Sequence, residues 1–384
     1  MERKAYQFRL APTKGQRRLL EQTLDTCRWV YNETLAYRKQ AWEERQEPVG
    51  LYDTNALLPV WKDHYPELKQ VYSQVLQDVQ NRVHLAFDAF FRRIKQGETP
   101  GYPRFRGKGW YDSFTFKQAG FGFKVDGHWL DVSKIGRVKL IDHRPIDGTI
   151  KTLTIRRTAT GKWFACFSVE VAAQPLPHTQ RAVGIDVGLE MFATLSTGEQ
   201  VVNPRFFRKD ERELATAQRK LSKAEQGTPE RHKRRKVVAH IHERIANRRK
   251  DFAHKLSRRL VNEFGIIVVE DLNIARMIKH PTLAKSIADA AWNQFANATR
   301  YKAANAGRTY LAADPRGTSQ RCSRCSGRVK KALSVRVHQC PHCGLEIDRD
   351  LNAALNILAV GLHSLGENPS KPPVFRPCGV VTAP

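Results

Sequence analysis

A chain of 384 residues can hold two or three domains with cores of their own, and 41% hydrophobic residues exclude a protein disordered along its length. Lys and Arg number 65 against 38 Asp and Glu, a formal net charge of +27, so the folded state repels itself unless a polyanion neutralises it. Nucleic acid is the first candidate and an anionic membrane surface the rival. The rival is weak: no segment approaches ~18 uninterrupted apolar residues, and Met1–Ala5 runs into a polar stretch without the apolar core of a secretory signal.

Residues 1–10 alternate as a strand, with Tyr6, Phe8 and Leu10 on one face. Thr13 with Gln16 forms a capping box that opens a helix, whose buried stripe is Leu20, Leu24, Cys27, Tyr31 and Leu35. A second helix is expected from Ser73 to Ile94, with Val75, Val79, Val83, Ala86, Phe87 and Phe90 facing inward. The loop from Gly97 to Gly109 is rich in Gly and Pro and carries Arg104, Arg106 and Lys108. Beside it, Trp110, Tyr111, Phe114 and Phe116 could stack on nucleotides or pack in a core. From Ser113 to Val171 the period becomes two, as in Trp163, Ala165, Phe167 and Val169. Strands at both ends of the first 170 residues, with helices between, predict a small β-barrel interrupted by a helical insertion.

A new pattern starts with strand Ala182–Val187, followed by Met191–Ser196, a Thr197-Gly198 turn and Glu199–Val202. Helices follow from Arg208 to Glu263, broken at Gly227-Thr228-Pro229. Positions 205–262 hold 19 Lys/Arg against 7 Asp/Glu, too one-sided for self-cancelling pairs one turn apart. A phosphate-contacting surface that includes Arg234, Arg235, Arg248 and Arg249 is therefore expected over a merely solvated face. An apolar strand, Gly265–Val269, ends at Glu270. A helix over 285–303, a strand near 309–312 and a helix over 351–360 follow. The Pro-rich stretch 361–384 has no periodicity and is expected to be disordered.

Three acids stand where burial would be costly without a cation or a hydrogen-bond network. Asp186 lies mid-strand among apolar neighbours, Glu270 ends a strand buried on both faces, and Asp350 opens the last helix. Converging, they could hold a pair of hard divalent ions through oxygen, the arrangement that hydrolyses phosphodiesters. Nearby Asp348 reads as a helix cap and Asp271 as a strand-end surface residue. Four of the seven cysteines form two pairs, Cys322/Cys325 and Cys340/Cys343, separated by fourteen residues. Two such knuckles suit one structural, tetrahedral zinc with no open position and a reducing cytoplasm. His338 and His342 read as bystanders, and Arg321 and Arg324 place positive charge beside the site.

In order, Gly-Ile-Asp186-Val-Gly-Leu, Val-Val-Glu270-Asp-Leu-Asn, Gly317-Thr-Ser-Gln-Arg-Cys322-Ser-Arg-Cys325 and Asp348-Arg-Asp350-Leu-Asn-Ala-Ala-Leu-Asn-Ile make a sequence that resembles TnpB. These are transposon-associated RNA-guided nucleases related to type V CRISPR effectors, and the resemblance covers nearly the whole chain. It implies an α/β multidomain protein. A wedge-like β-barrel (1–10 plus 113–178) would be interrupted by a helical recognition domain (11–112). A RuvC-like nuclease domain of RNase H fold (179–360) would follow, with a zinc ribbon (318–346) inserted. It implies a guide RNA from the transposon end, double-stranded target DNA cut beside a short flanking motif, and one protein chain per RNA. Catalysis would use two Mg2+ on Asp186, Glu270 and Asp350. The helix around Ser73–Gln77 resembles the segment that reads the flanking motif, which would assign Gln77 or Gln80 to DNA. Two other readings remain open at this point: a catalytically silent RNA-guided repressor, against which the intact acids argue, and a guide-independent transposase or resolvase.

Overall fold

The computed structural model describes residues 2–332 and 335–366. It divides into two compact units, 1–172 and 173–384.

The first unit is a seven-stranded antiparallel sheet with three main helices. In chain order these are β1 (Glu2–Ala11), α1 (Lys14–Arg45), α2 (Leu51–His64), α3 (Ser73–Lys95), β2 (Ser113–Phe116), β3 (Phe123–Asp126), β4 (Trp129–Val132), β5 (Gly136–Ile141), β6 (Thr149–Arg157) and β7 (Trp163–Val171). The strand order is β2-β6-β7-β1-β5-β4-β3, so β1 lies at the centre. Its inward residues Tyr6, Phe8 and Leu10 are buried and alternate with exposed ones. The two edge strands are brought together by Phe116 on β2 and Phe123 on β3, whose ring centres lie 6.3 Å apart. The sheet is thereby curled into a nearly closed barrel, which shields its free edges.

Helix α1 opens on the expected capping box, Thr13 with Gln16. Its face Leu20, Leu24, Cys27, Tyr31 and Leu35 packs with Val75, Val79 and Val83 of α3 and with the barrel side chains in one continuous core. The helical segment shares that core, so it is not a separately cored domain. Tyr111, Phe114 and Phe116 belong to the same core. Packing therefore wins over nucleotide stacking at these three, while Trp110 stays 78% exposed.

The second unit is built on a five-stranded sheet of order β10-β9-β8-β11-β12: β8 (Ala182–Val187), β9 (Met191–Leu195), β10 (Gln200–Val202), β11 (Ile266–Glu270) and β12 (Thr309–Ala313). β8 pairs parallel with β11, as β11 does with β12, and β9 runs antiparallel to β8 and β10. Between β10 and β11 stands a helical hairpin, α4 (Phe206–Ser222) and α5 (Pro229–Glu263). It carries a small core of its own, Leu214, Ala217, Ile241 and Ile245. The Gly227–Pro229 break falls between these helices as expected, with Thr228 capping α5. The helix expected over 285–303 is two, α6 (Ala284–Ala290) and α7 (Trp292–Asn305). They are divided at Ala291, whose φ of +55° is incompatible with an α-helix. The last helix, α8 (Arg349–Ser364), covers the other face of the sheet. It carries 361–364 in helical form and a turn follows at 365–366, which corrects the expectation of disorder there; 367–384 lie outside the described residues. No helix among the described residues is long and apolar enough to cross a membrane.

Phe116 ties both barrel edges together, so Phe116→Ala should cost about 3–5 kcal/mol in chemical denaturation. A loss below about 1 kcal/mol would show that the barrel closes without it.

Candidate active site

Side chains on β8 and β11 alternate between two faces. Val183, Ile185, Ile267 and Val269 point into a core shared with α5 and α7. Val268 points the other way, into a core with Ile357 and Leu358 of α8. In the parallel register Val268 pairs with Gly184 and Val269 with Ile185. Asp186 and Glu270 each lie one residue past this second pair, at positions that alternate toward the α8 side, and the Glu270 charge acts on the Asp186 carboxyl.

Gly184 is what lets α8 reach that face. A Cβ there would lie 2.2 Å from the carbonyl oxygen of Ala354 and 2.6 Å from the amide nitrogen of Leu358. Helix backbone therefore rests directly on the strand. Asp186 lies two residues beyond Gly184 along the strand, and Asp350 one turn before Ala354 along the helix. These are similar lengths, about 6 Å each, and the Asp350 charge also acts on the Asp186 carboxyl. Gly361 makes a second close approach: a Cβ there would come within 2.4 Å of Val268 Cγ2.

The electrostatics follow from this crowding. Burial pushes the Asp186 carboxyl up to about 8, helped by the charges of Glu270 and Asp350 and opposed by Arg349. Burial also raises Glu270, while a hydrogen bond from the Thr318 hydroxyl (2.9 Å to Oε1) pulls the other way. Asp350 is held by Arg349, with Nε 3.0 Å and Nη2 2.9 Å from Oδ1, and by Arg336, whose Nη1 lies 3.5 Å from Oδ2. Asp348 caps α8 by accepting from the amides of Asp350 and Leu351, as expected.

Among the described residues, the four cysteines are the one group of metal-ligating side chains whose ligand atoms all lie within 4.8 Å of one another. The Cys322–Cys343 and Cys325–Cys340 sulfur distances are both 3.5 Å. A tetrahedron with Zn–S bonds of about 2.3 Å has edges of about 3.8 Å, so four thiolates in this arrangement fit zinc. His338 and His342 are outside the group. Asp186, Glu270 and Asp350 do not form such a group among the described residues.

Profile comparisons match residues 165–280 to a family described as "Probable transposase" (OrfB_IS605), 292–357 to a "Cas12f1-like, TNB domain", and 1–47 to a "Helix-turn-helix domain". In this chain 1–47 holds β1 and the single long helix α1. A protein from Streptomyces pristinaespiralis named "Putative RNA-guided DNA endonuclease" is 36% identical over 94% of this chain and 90% of its own length. The chain belongs to the TnpB (OrfB) family. An Escherichia coli K12 relative, named as the same kind of protein (InsQ), is 29% identical over 93% of this chain and 92% of its own. The solved structure of the mini-RNA-guided endonuclease Cas-phi3 shares the fold at 9% identity, with a TM-score of 0.50 over 94% of this chain and 92% of that one.

Two residues of this TnpB-family chain that were expected to contact nucleic acid make internal contacts. Gln80 is 1% exposed and donates to the Thr54 carbonyl at 2.6 Å, so it is spent inside the fold, whereas Gln77 is exposed. Arg249 forms a two-nitrogen pair with buried Asp289 at 2.7 and 3.1 Å. Asp289 also accepts from the Phe207 amide at the start of α4, so Arg249 braces the hairpin. Arg234 pairs with Glu230 and Arg248 with Asp210, both with substantial exposure. Arg104, Arg106, Lys108, Arg235, Arg321 and Arg324 are exposed. Residue patterns alone did not single out the supports Arg336, Arg349 and Thr318. The signal available for Thr318 and Arg349 was their place inside the two motifs that carry Cys322 and Asp350.

The Asp186 carboxyl is raised far above its unfolded value, so the folded state binds the extra proton. The stability this confers is complete below about pH 4 and is lost as pH rises through about 8. Without divalent ions, Asp186→Asn should therefore melt above wild type by roughly 3 °C or more at pH 8 and within about 1 °C of it at pH 4. Equal pH slopes for the two proteins would contradict this.

Proposed function

We propose that the protein is an RNA-guided DNA endonuclease that hydrolyses phosphodiesters at Asp186, Glu270 and Asp350. The second unit is read as an RuvC-type core of RNase H fold. What supports the proposal is that the charges of half-buried Glu270 and Asp350 both act on half-buried Asp186, in a chain 36% identical to its Streptomyces relative along almost its whole length. The mixed five-stranded sheet, with an acid at the end of each of two parallel neighbours, is consistent with that core.

The donor set is all oxygen, which suits Mg2+. Two ions about 3.5–4 Å apart are what the family resemblance implies. When bound, the ions would activate the attacking water and stabilise the leaving oxygen. The chain's own part is to place the carboxylates. In this reading β8 and β11 would hold Asp186 and Glu270 and α8 would bring Asp350 to them. Arg349 holds Oδ1 of Asp350, and the longer contact from Arg336 leaves Oδ2 the freer of the two oxygens for a cation.

The zinc of the four-cysteine ribbon is structural in this reading, because four thiolates leave no open position. Base pairing to a guide RNA would supply sequence discrimination, so the protein needs chiefly backbone contacts. Arg104, Arg106, Lys108, Arg235, Arg321 and Arg324 are exposed and suited to that, and the +27 charge is sufficient for a long duplex. Trp110 remains available to stack a base, and Gln77 to read a flanking motif.

Asp186→Ala, purified with its co-expressed RNA, should lose DNA cleavage by more than about 1000-fold while target binding changes less than about threefold; cleavage at the wild-type rate would end the assignment. Purified protein should contain one zinc per chain, and Cys340→Ser should lower both zinc content and melting temperature. Wild-type protein without zinc would contradict the structural role of the ribbon.

A further inference from the structure

The segment leading into the first zinc knuckle makes contacts that neither zinc binding nor the acids require. Thr318 is 5% exposed, and its hydroxyl lies 2.9 Å from Glu270 Oε1 and 3.1 Å from the Pro315 carbonyl. The hydroxyl has one proton to donate, and the carboxylate is the stronger acceptor. The Thr318 carbonyl in turn accepts from Asn356 Nδ2 at 2.7 Å. That same Nδ2 lies 2.8 Å from the Arg321 carbonyl, which also accepts from Asn352 Nδ2 at 2.7 Å. Asn352 is fully buried, and its Oδ1 accepts from the Ser323 amide at 2.9 Å, between the two cysteines of the knuckle.

Asn352 and Asn356 are one turn apart on α8, the helix that carries Asp350. The two amides thus strap the knuckle to the helix of one acid, and Thr318, held by the strap, grips another acid.

We propose that Thr318 is a positioning residue that fixes Oε1 of Glu270 and so turns Oε2 toward the shared cation site, with Asn352 and Asn356 transmitting the order of the zinc knuckle to it. The inference rests on the reading that Glu270 is a magnesium ligand. A carboxylate free to rotate must be ordered each time it ligates, and loss of an outer partner of a ligand typically weakens metal binding by 10–100-fold. Valine is the fitting probe because it keeps the β-branched shape and removes the donor.

The test compares wild type, Thr318→Val, Thr318→Ser and Glu270→Gln as full-length chains. Zinc content and melting temperature verify the fold. Cleavage by the RNA-loaded protein is followed against Mg2+ concentration. Mn2+ binding to the RNA-free chain is followed by the EPR signal of the free ion, counting only sites that Glu270→Gln loses. Thr318→Val should raise the half-saturating Mg2+ and the Mn2+ dissociation constant by about tenfold or more, with the cleavage rate at saturating Mg2+ within about threefold of wild type. Thr318→Ser should restore both to within about threefold.

Wild-type ion dependence in Thr318→Val, while Glu270→Gln is inactive, would overturn the positioning role and leave the proposed function standing. Equal losses in the serine and valine variants would overturn it too, since shape and not the hydroxyl would then matter. Wild-type cleavage by Glu270→Gln would instead remove the function on which the inference rests. Should the valine variant lose zinc, Thr318→Ala makes the same comparison with a smaller side chain.

Discussion

Asp186 is largely buried and feels the charges of Glu270 and Asp350, and burial with those charges raises its carboxyl to about 8, so that its ionisation calls for a counter-charge. Much of the second unit can be understood as the apparatus that maintains this unfavourable arrangement. The parallel register of β8 and β11 runs up to the residues just before Asp186 and Glu270. Gly184 removes the one side chain that would hold the third at a distance, and Gly361 repeats the device further along α8. Two arginines balance part of the charge at Asp350, and a threonine hydroxyl steadies Glu270. The stability that these acids cost is recovered through the apolar packing of both sheet faces.

The parts of the fold legible in the sequence are those fixed by local chemistry. The Thr13–Gln16 box, the Gly227–Pro229 break and the cysteine spacing each demand a specific local geometry, and each is realised. The burial of Asp186 was legible because an ionisable residue on an apolar strand has few explanations. What remained hidden depended on contacts made far along the chain. Gln80 looks like any polar residue on an amphipathic helix; it is buried because α2, 26 residues earlier, offers it the Thr54 carbonyl. Arg249 looks like its basic neighbours; it is internal because Asp289 arrives from 40 residues away. Phe114 and Phe116 alternate in a strand whichever face is inward, and the curl of the barrel decided the matter. The division at Ala291 was invisible because a helical period continues across it.

On the proposed reading, the four-cysteine segment has a second role. Its sulfur cluster closes a fold too small to have much of a core, and its lead-in segment touches the site itself through Thr318. The asparagines of the Leu-Asn-Ala-Ala-Leu-Asn run supply the strap between ribbon and helix. This explains in physical terms why the ribbon stands in sequence immediately before the last acid: the two must be built against each other.

The most direct test of the account is to locate divalent ions at the acids. Anomalous diffraction from crystals of the RNA-bound protein grown with Mn2+ should give two peaks about 3.5–4 Å apart, each within about 2.0–2.3 Å of oxygens from Asp186, Glu270 or Asp350. Ordered crystals at saturating Mn2+ with no peak there, or with the three carboxylates turned away from a shared ion, would contradict it.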